Sequence, residues 1–186
     1  MIPDAYMTCA VFSGDQLMAT GEPRDVLAAA KAVEEAGDQL LVFDLATGHP
    51  VELDLRGDLA DALARLPAAQ PEVKKGPGRP KLGVTAREVT LLPRHWDWLA
   101  TQPGGASATL RKMVETAMRE AEGPDRARRA RDAAYRFMTA MAGDLPNYEQ
   151  AVRMLFAGDI EGLDTAIEDW PEGVRQVARS IADPAR

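Results

Sequence analysis

The sequence predicts an α+β protein in which a small ββαββ unit, a basic central segment and a C-terminal helical bundle follow one another. Three observations lead there. Within residues 6–56 the apolar pattern changes from short strand-like runs to helical spacing and back. Charge is uneven: residues 1–73 carry 4 basic and 13 acidic groups, residues 74–131 carry 13 and 6, and residues 132–186 carry 5 and 10. From Pro124 onward the apolar residues fall at helical spacing.

In the first unit, Tyr6 to Phe12 reads as a strand that turns at Ser13-Gly14-Asp15 into a second strand, Gln16 to Ala19. From Pro23, the residues Val26, Leu27, Ala30, Val33 and Ala36 fall on one helical face, and Gly37 closes that helix. Leu40 to Leu45 and Val51 to Leu55 then read as two further strands around Thr47-Gly48. A short helix, Leu59 to Leu66, precedes a linker from Pro67 to Pro71, where proline removes backbone donors and stops a helix. Residues 1–72 are thus expected to form a small α/β domain.

The second domain, residues 73–122, opens with Lys74-Lys75-Gly76-Pro77-Gly78-Arg79-Pro80-Lys81, which holds no apolar side chain and has nothing with which to build a core. Arg87 to Leu92 reads as a strand, Pro93 to Thr101 as a short helix, and Gln102-Pro103-Gly104-Gly105 as a break. Ser107 suits an N-cap for the next helix, whose apolar stripe is Leu110, Met113, Val114 and Ala117. Residues 123–186 form the third domain, helical throughout. Its faces are Ala133, Phe137 and Met141; Tyr148, Val152 and Phe156; Ile160, Leu163 and Ile167; and Val174, Val177 and Ile181.

Composition narrows the function. The apolar fraction of 46% suffices for folded cores, and no apolar run approaches the ~18 residues of a membrane span. Without a secretory signal pattern, a cytosolic location is expected, on the nucleoid if DNA is bound. One cysteine, Cys9, in the apolar run Met7, Cys9, Val11, is expected to be a buried strand residue. His49 and His95 are too few and too far apart to suggest a metal site, and no cofactor is expected. Glu34-Glu35 and Glu168-Asp169 lie on polar helix faces, where solvated carboxylates are the rule, and no nucleophile motif flanks His95. Trp96, Trp98 and Trp170 read as core residues, although Trp96 and Trp98 cannot share one helical face. The expectation is a protein that is not an enzyme. The net charge of −7 hides a basic middle between acidic flanks, the footprint of a phosphate-bearing partner or of a segment that docks on its own flanks.

An extended arm, one strand and two helices resemble the ribbon-helix-helix layout. The residues that carry the resemblance are Arg87-Glu-Val-Thr-Leu-Leu-Pro93, then Trp96 and Leu99, then Gly105-Ala-Ser-Ala-Thr-Leu-Arg-Lys-Met-Val114. It implies a homodimer, held by Val89, Leu91, Leu92, Leu110, Met113 and Val114, because one strand and two short helices bury too little alone. It also implies duplex DNA read by the ribbon, with the backbone N–H groups near Ser107 facing a phosphate. The strand alternates poorly, so two registers stand: Glu88, Thr90 and Leu92 outward, or Arg87, Val89 and Leu91 outward.

Gly78-Arg79-Pro80-Lys81 resembles the core of an AT-hook, which lies along an A·T minor groove, with Lys81 where such hooks carry a second arginine. Over nearly the whole chain, Phe43-Asp44, Ala46-Thr47-Gly48, Asp54-Leu55-Arg56-Gly57, Gly78 to Gly83 and Pro93-Arg94-His95-Trp96 resemble a bacterial family of uncharacterised proteins, domain of unknown function 2239. That resemblance implies no activity. The resulting expectation is a dimeric DNA-binding regulator that contacts DNA through Lys74, Lys75, Arg79, Lys81, Arg87, Thr90, Ser107, Arg111 and Lys112. The rival is a non-catalytic scaffold that dimerises through the same module and meets protein partners through its acidic flanks.

Overall fold

A computed structural model describes residues 7–67 and 83–183. The chain divides into two units, one made of residues 1–71 with 125–186, the other of residues 72–124.

The first unit is built on β1 (Cys9–Ser13), β2 (Gln16–Gly21) and β3 (Leu40–Asp44), in the order β2-β1-β3 with antiparallel pairing throughout. Gly14, at a φ of 60°, makes the β1–β2 turn, and a bulge between Val11 and Phe12 shifts the register. Helix α1 (Pro23–Ala36) starts with proline in its first turn and ends at Gly37, whose φ of 74° is the left-handed cap expected of it. The fourth expected strand does not form. Val51 donates to the Val42 carbonyl at 2.8 Å and Asp44 to the His49 carbonyl at 3.0 Å, on either side of an isolated bridge between Phe43 and Pro50, and the pairing stops there. Val51 and Leu55 are buried all the same. The following helix α2 (Leu59–Arg65) opens with a reciprocal capping box between Asp58 and Asp61.

Because β1 is central, both its faces are covered, and its alternation sends neighbouring residues to different cores. Cys9 and Val11 pack with Val26, Leu27 and Ala30 of α1, Val42 of β3, Val51, Leu55 and Ala62. Ala10 and Phe12 point the other way, into a core shared with Phe43 and the C-terminal helices. In chain order, α3 (Pro93–Ala100) of the second unit comes next and α4 (Gly105–Ala142) follows it. The C-terminal helices are the second half of α4, then α5 (Tyr148–Ala157), α6 (Ile160–Ala166) and α7 (Glu172–Ala182). Phe12, Phe43 and Phe137 meet there with ring centroids 5.1 to 6.3 Å apart. Residues 1–72 and 123–186, read separately from the sequence, therefore share one core.

The C-terminal faces hold with one shift. On α5 the buried residues are Ala151 and Leu155, so Phe156 lies exposed against Tyr135, and Val152 is half-buried. Trp170 is core as expected, and its indole N–H donates to the Pro146 carbonyl at 2.7 Å. Helix α4 runs through Gly123-Pro124 without the break that proline suggested. Alanine, arginine, glutamate and methionine on both sides favour the helix strongly enough to carry it past the two breakers.

Gly48 seats the turn after β3 against α4. Its φ is 69°, and a Cβ there would collide with the Ala133 carbonyl, so glycine is required on both counts. The buried Asp44 carboxylate holds the same turn, accepting from the Ala46 N–H at 2.9 Å and the Thr47 hydroxyl at 2.6 Å. Arg136 of α4 closes it by donating to the Thr47 carbonyl at 3.0 Å.

Candidate nucleic-acid interface

The second unit, among its described residues, consists of an extended stretch 83–92, helix α3 and the first half of α4. Among the described residues, 87–92 pair with no strand. Leu92 is extended, with φ −66° and ψ 150°, and Pro93 behind it starts α3 at the position where its missing N–H costs nothing. Leu99 is buried, as its packing role requires.

Trp96 and Trp98 depart from expectation. Both are exposed, Trp98 by 50%, because this unit has no further layer on which they could pack. The clue was their spacing of two residues on a helix, which sends them to different sides. Ser107 is not the cap it resembled: α4 starts at Gly105, after Gly104 and Gly105 take φ values of 86° and 75°, and Ser107 lies in its first turn, exposed.

Of the expected DNA-contacting residues, Arg87, Thr90, Arg111 and Lys112 are all exposed, while Lys74, Lys75, Arg79 and Lys81 lie outside the described residues, as does the AT-hook-like motif. Among the described residues, no ion pair involves residues 83–124, although Glu88, Asp97, Glu115, Glu120 and Glu122 lie there too. The expected dimerisation residues divide. Leu91, Leu110 and Met113 come together with Arg94, His95, Trp98 and Leu99 around an apolar cavity of about 270 Å³. Val89, Leu92 and Val114 do not line it and are exposed. Met118, further along the stripe of α4, is 67% exposed. Arg94 and His95 also line the cavity, and their i, i+4 and i, i+3 relations to Trp98 were the signal in the sequence that places them beside it.

The family described as uncharacterised protein conserved in bacteria (DUF2239) matches residues 8–182. The chain belongs to this family. No curated protein and no solved structure matches it. In this DUF2239 chain the match spans both units. Among its described residues no helix is long and apolar enough to cross a membrane, and no three His, Cys, Asp or Glu side chains are grouped to hold a metal ion.

The carboxylate pairs sit on the surface of the first unit. Lys31 reaches Glu34 at 3.2 Å and Glu35 at 3.6 Å, and Glu168 and Asp169 are exposed. Cys9 lies buried in β1, where burial and, second, the Asp44 charge raise its thiol from the ordinary 9.0 to about 11. The thiol is therefore neutral at physiological pH.

Proposed function

We propose that the protein is a dimeric DNA-binding protein, a transcriptional regulator that grips duplex DNA through its basic arm and central unit. One observation carries the reading: the central unit combines exposed cations that have no carboxylate partner among the described residues with an apolar surface that has no cover of its own. Val89, Leu92, Met113, Val114 and Met118 all lie exposed on this small unit. A second copy would bury them, pairing residues 87–92 of the two chains as a ribbon, which supplies the strand partner that a single chain lacks. Arg87, Arg111 and Lys112, with Arg79 and Lys81 of the arm, would then meet phosphates.

Binding to random and A·T-rich duplexes across a salt series tests the reading. Each cation taken off a phosphate should flatten the slope of log affinity against log salt by about 0.9. Arg79→Ala with Lys81→Ala should flatten it and remove any A·T preference while the dimer persists in sedimentation. Residues 73–122 alone should bind more tightly than the full chain, whose net charge is −7. If neither shifts duplex DNA at ~50 mM salt, where even sequence-independent binding shows, the scaffold reading replaces this one.

A further inference from the structure

We infer that the first unit carries a binding site for a small amphipathic organic anion, an apolar body bearing a carboxylate. The site is a cavity of about 620 Å³ beside α4 and the end of α7. That volume lies within the range of small-molecule sites, ~300–1,000 Å³. It belongs wholly to the first unit, so it stands independently of the DNA reading.

Its wall of charge comes from α4. Arg126 and Arg129, one helical turn apart, both line the cavity. Neither makes an ion pair among the described residues, whereas Arg128, between them, pairs with Asp125 at 3.0 Å. Among the described lining residues Asp183 is the one carboxylate, beside the two arginines. The rest of the lining is mostly apolar, with Leu45 and Ile181 contributing the larger side chains.

The turn that lines the cavity is tied down. Thr47 lines the cavity, and its hydroxyl is committed to Asp44, its carbonyl to Arg136, while Gly48 lets the turn sit directly on Ala133. A preformed lining costs a ligand little ordering. Such a pair on a concave, largely apolar surface selects a compact anion with an apolar body: inorganic phosphate gains nothing from Leu45 and Ile181, a neutral body gains nothing from the arginines, and a duplex backbone does not enter a depression of this size.

Calorimetric titration of the full-length protein with 2-naphthoate, 2-naphthamide and inorganic phosphate tests the site. Naphthoate should bind at least about tenfold more tightly than the isosteric amide or than phosphate, the discrimination of one charge-assisted hydrogen bond. Arg126→Gln with Arg129→Gln should remove that preference, Arg126→Lys with Arg129→Lys should keep part of it, and Arg128→Gln should keep all of it. Arg111→Gln with Lys112→Gln, aimed at the DNA reading, should leave naphthoate binding unchanged. Equal binding of acid and amide, equal binding of phosphate, or full affinity in the Arg126→Gln, Arg129→Gln protein with an unaltered melting curve would each overturn the proposal. So would a loss of duplex binding in that protein without any naphthoate binding by the parent, which would assign the two arginines to DNA.

Discussion

Cys9 shows how one side chain ties the fold to pH. With the folded thiol raised to about 11 by burial and Asp44, and the unfolded thiol near its ordinary 9.0, the native state keeps a proton that the unfolded chain gives up between those values. Unfolding then releases a proton, so the contribution to stability is complete below about pH 9 and declines as pH rises towards about 11. The span corresponds to about 3 kcal/mol. Urea denaturation between pH 8 and 11 should therefore show a steeper fall for the parent protein than for Cys9→Ala, and a decline that is the same in both would mean the thiol does not titrate differently in the two states. Burial of Cys9 was legible from its apolar neighbours. The role of Asp44 was not, because a carboxylate after a strand reads as a solvent-facing end, and its two turn bonds exist only once Ala46 and Thr47 fold back over it.

Helix α4 sets the element scale, and it carries its own weak point. Pro124 has no N–H for the carbonyl of Glu120, and Gly123 beside it adds backbone freedom, while the flanking turns from Arg111 to Glu120 are exposed on every side. Pro124→Ala should raise local helix stability by about 3 kcal/mol, seen as slower amide exchange over residues 118–128 with little change in the buried turn from Ala133 to Ala142. Uniform slowing along the whole helix would instead mean that α4 opens as a unit. Local signals elsewhere gave elements correctly: proline at the start of α1 and Gly37 at its end, and Gly14 in the hairpin. They misled where one residue outweighed a pattern. Val51, Leu53 and Leu55 alternate like a strand, yet the segment makes only one bridge to β3 among the described residues; Pro124 looks like a boundary, yet its neighbours' helix propensity prevails.

At the scale of the molecule, the first unit is held by the ring cluster that joins the two ends of the chain. Phe137 lies 5.8 Å from Phe12 and 5.1 Å from Phe43, fully buried. Phe137→Ala should cost about 3–5 kcal/mol, and near-ultraviolet circular dichroism and the α1 amides should be lost in the same transition, because both faces of β1 belong to one cooperative structure. Two separate transitions would show that the N-terminal sheet and the C-terminal helices unfold independently. This union was invisible to periodicity, which tells that Ala10 and Phe12 face one way and Cys9 and Val11 the other, but not which distant segment covers each face. The central unit was legible to a different extent. Its helices, its exposed cations and the meeting of Leu91, Leu110 and Met113 follow from pattern, whereas the outward tryptophans follow from the smallness of the unit.

The placement of β1 also sets an order in time. This strand leaves the ribosome well before the helices that cover its Phe12 face, with Ile181 and Ala182 completing that core. During synthesis α1 can shield Cys9 and Val11 at once, but Ala10, Phe12 and Phe43 must wait through the whole basic middle with no partner of their own. The waiting face is apolar and flat, the kind of surface that sticks to other nascent chains. Its long-range closure makes folding slower than the helical content alone would suggest.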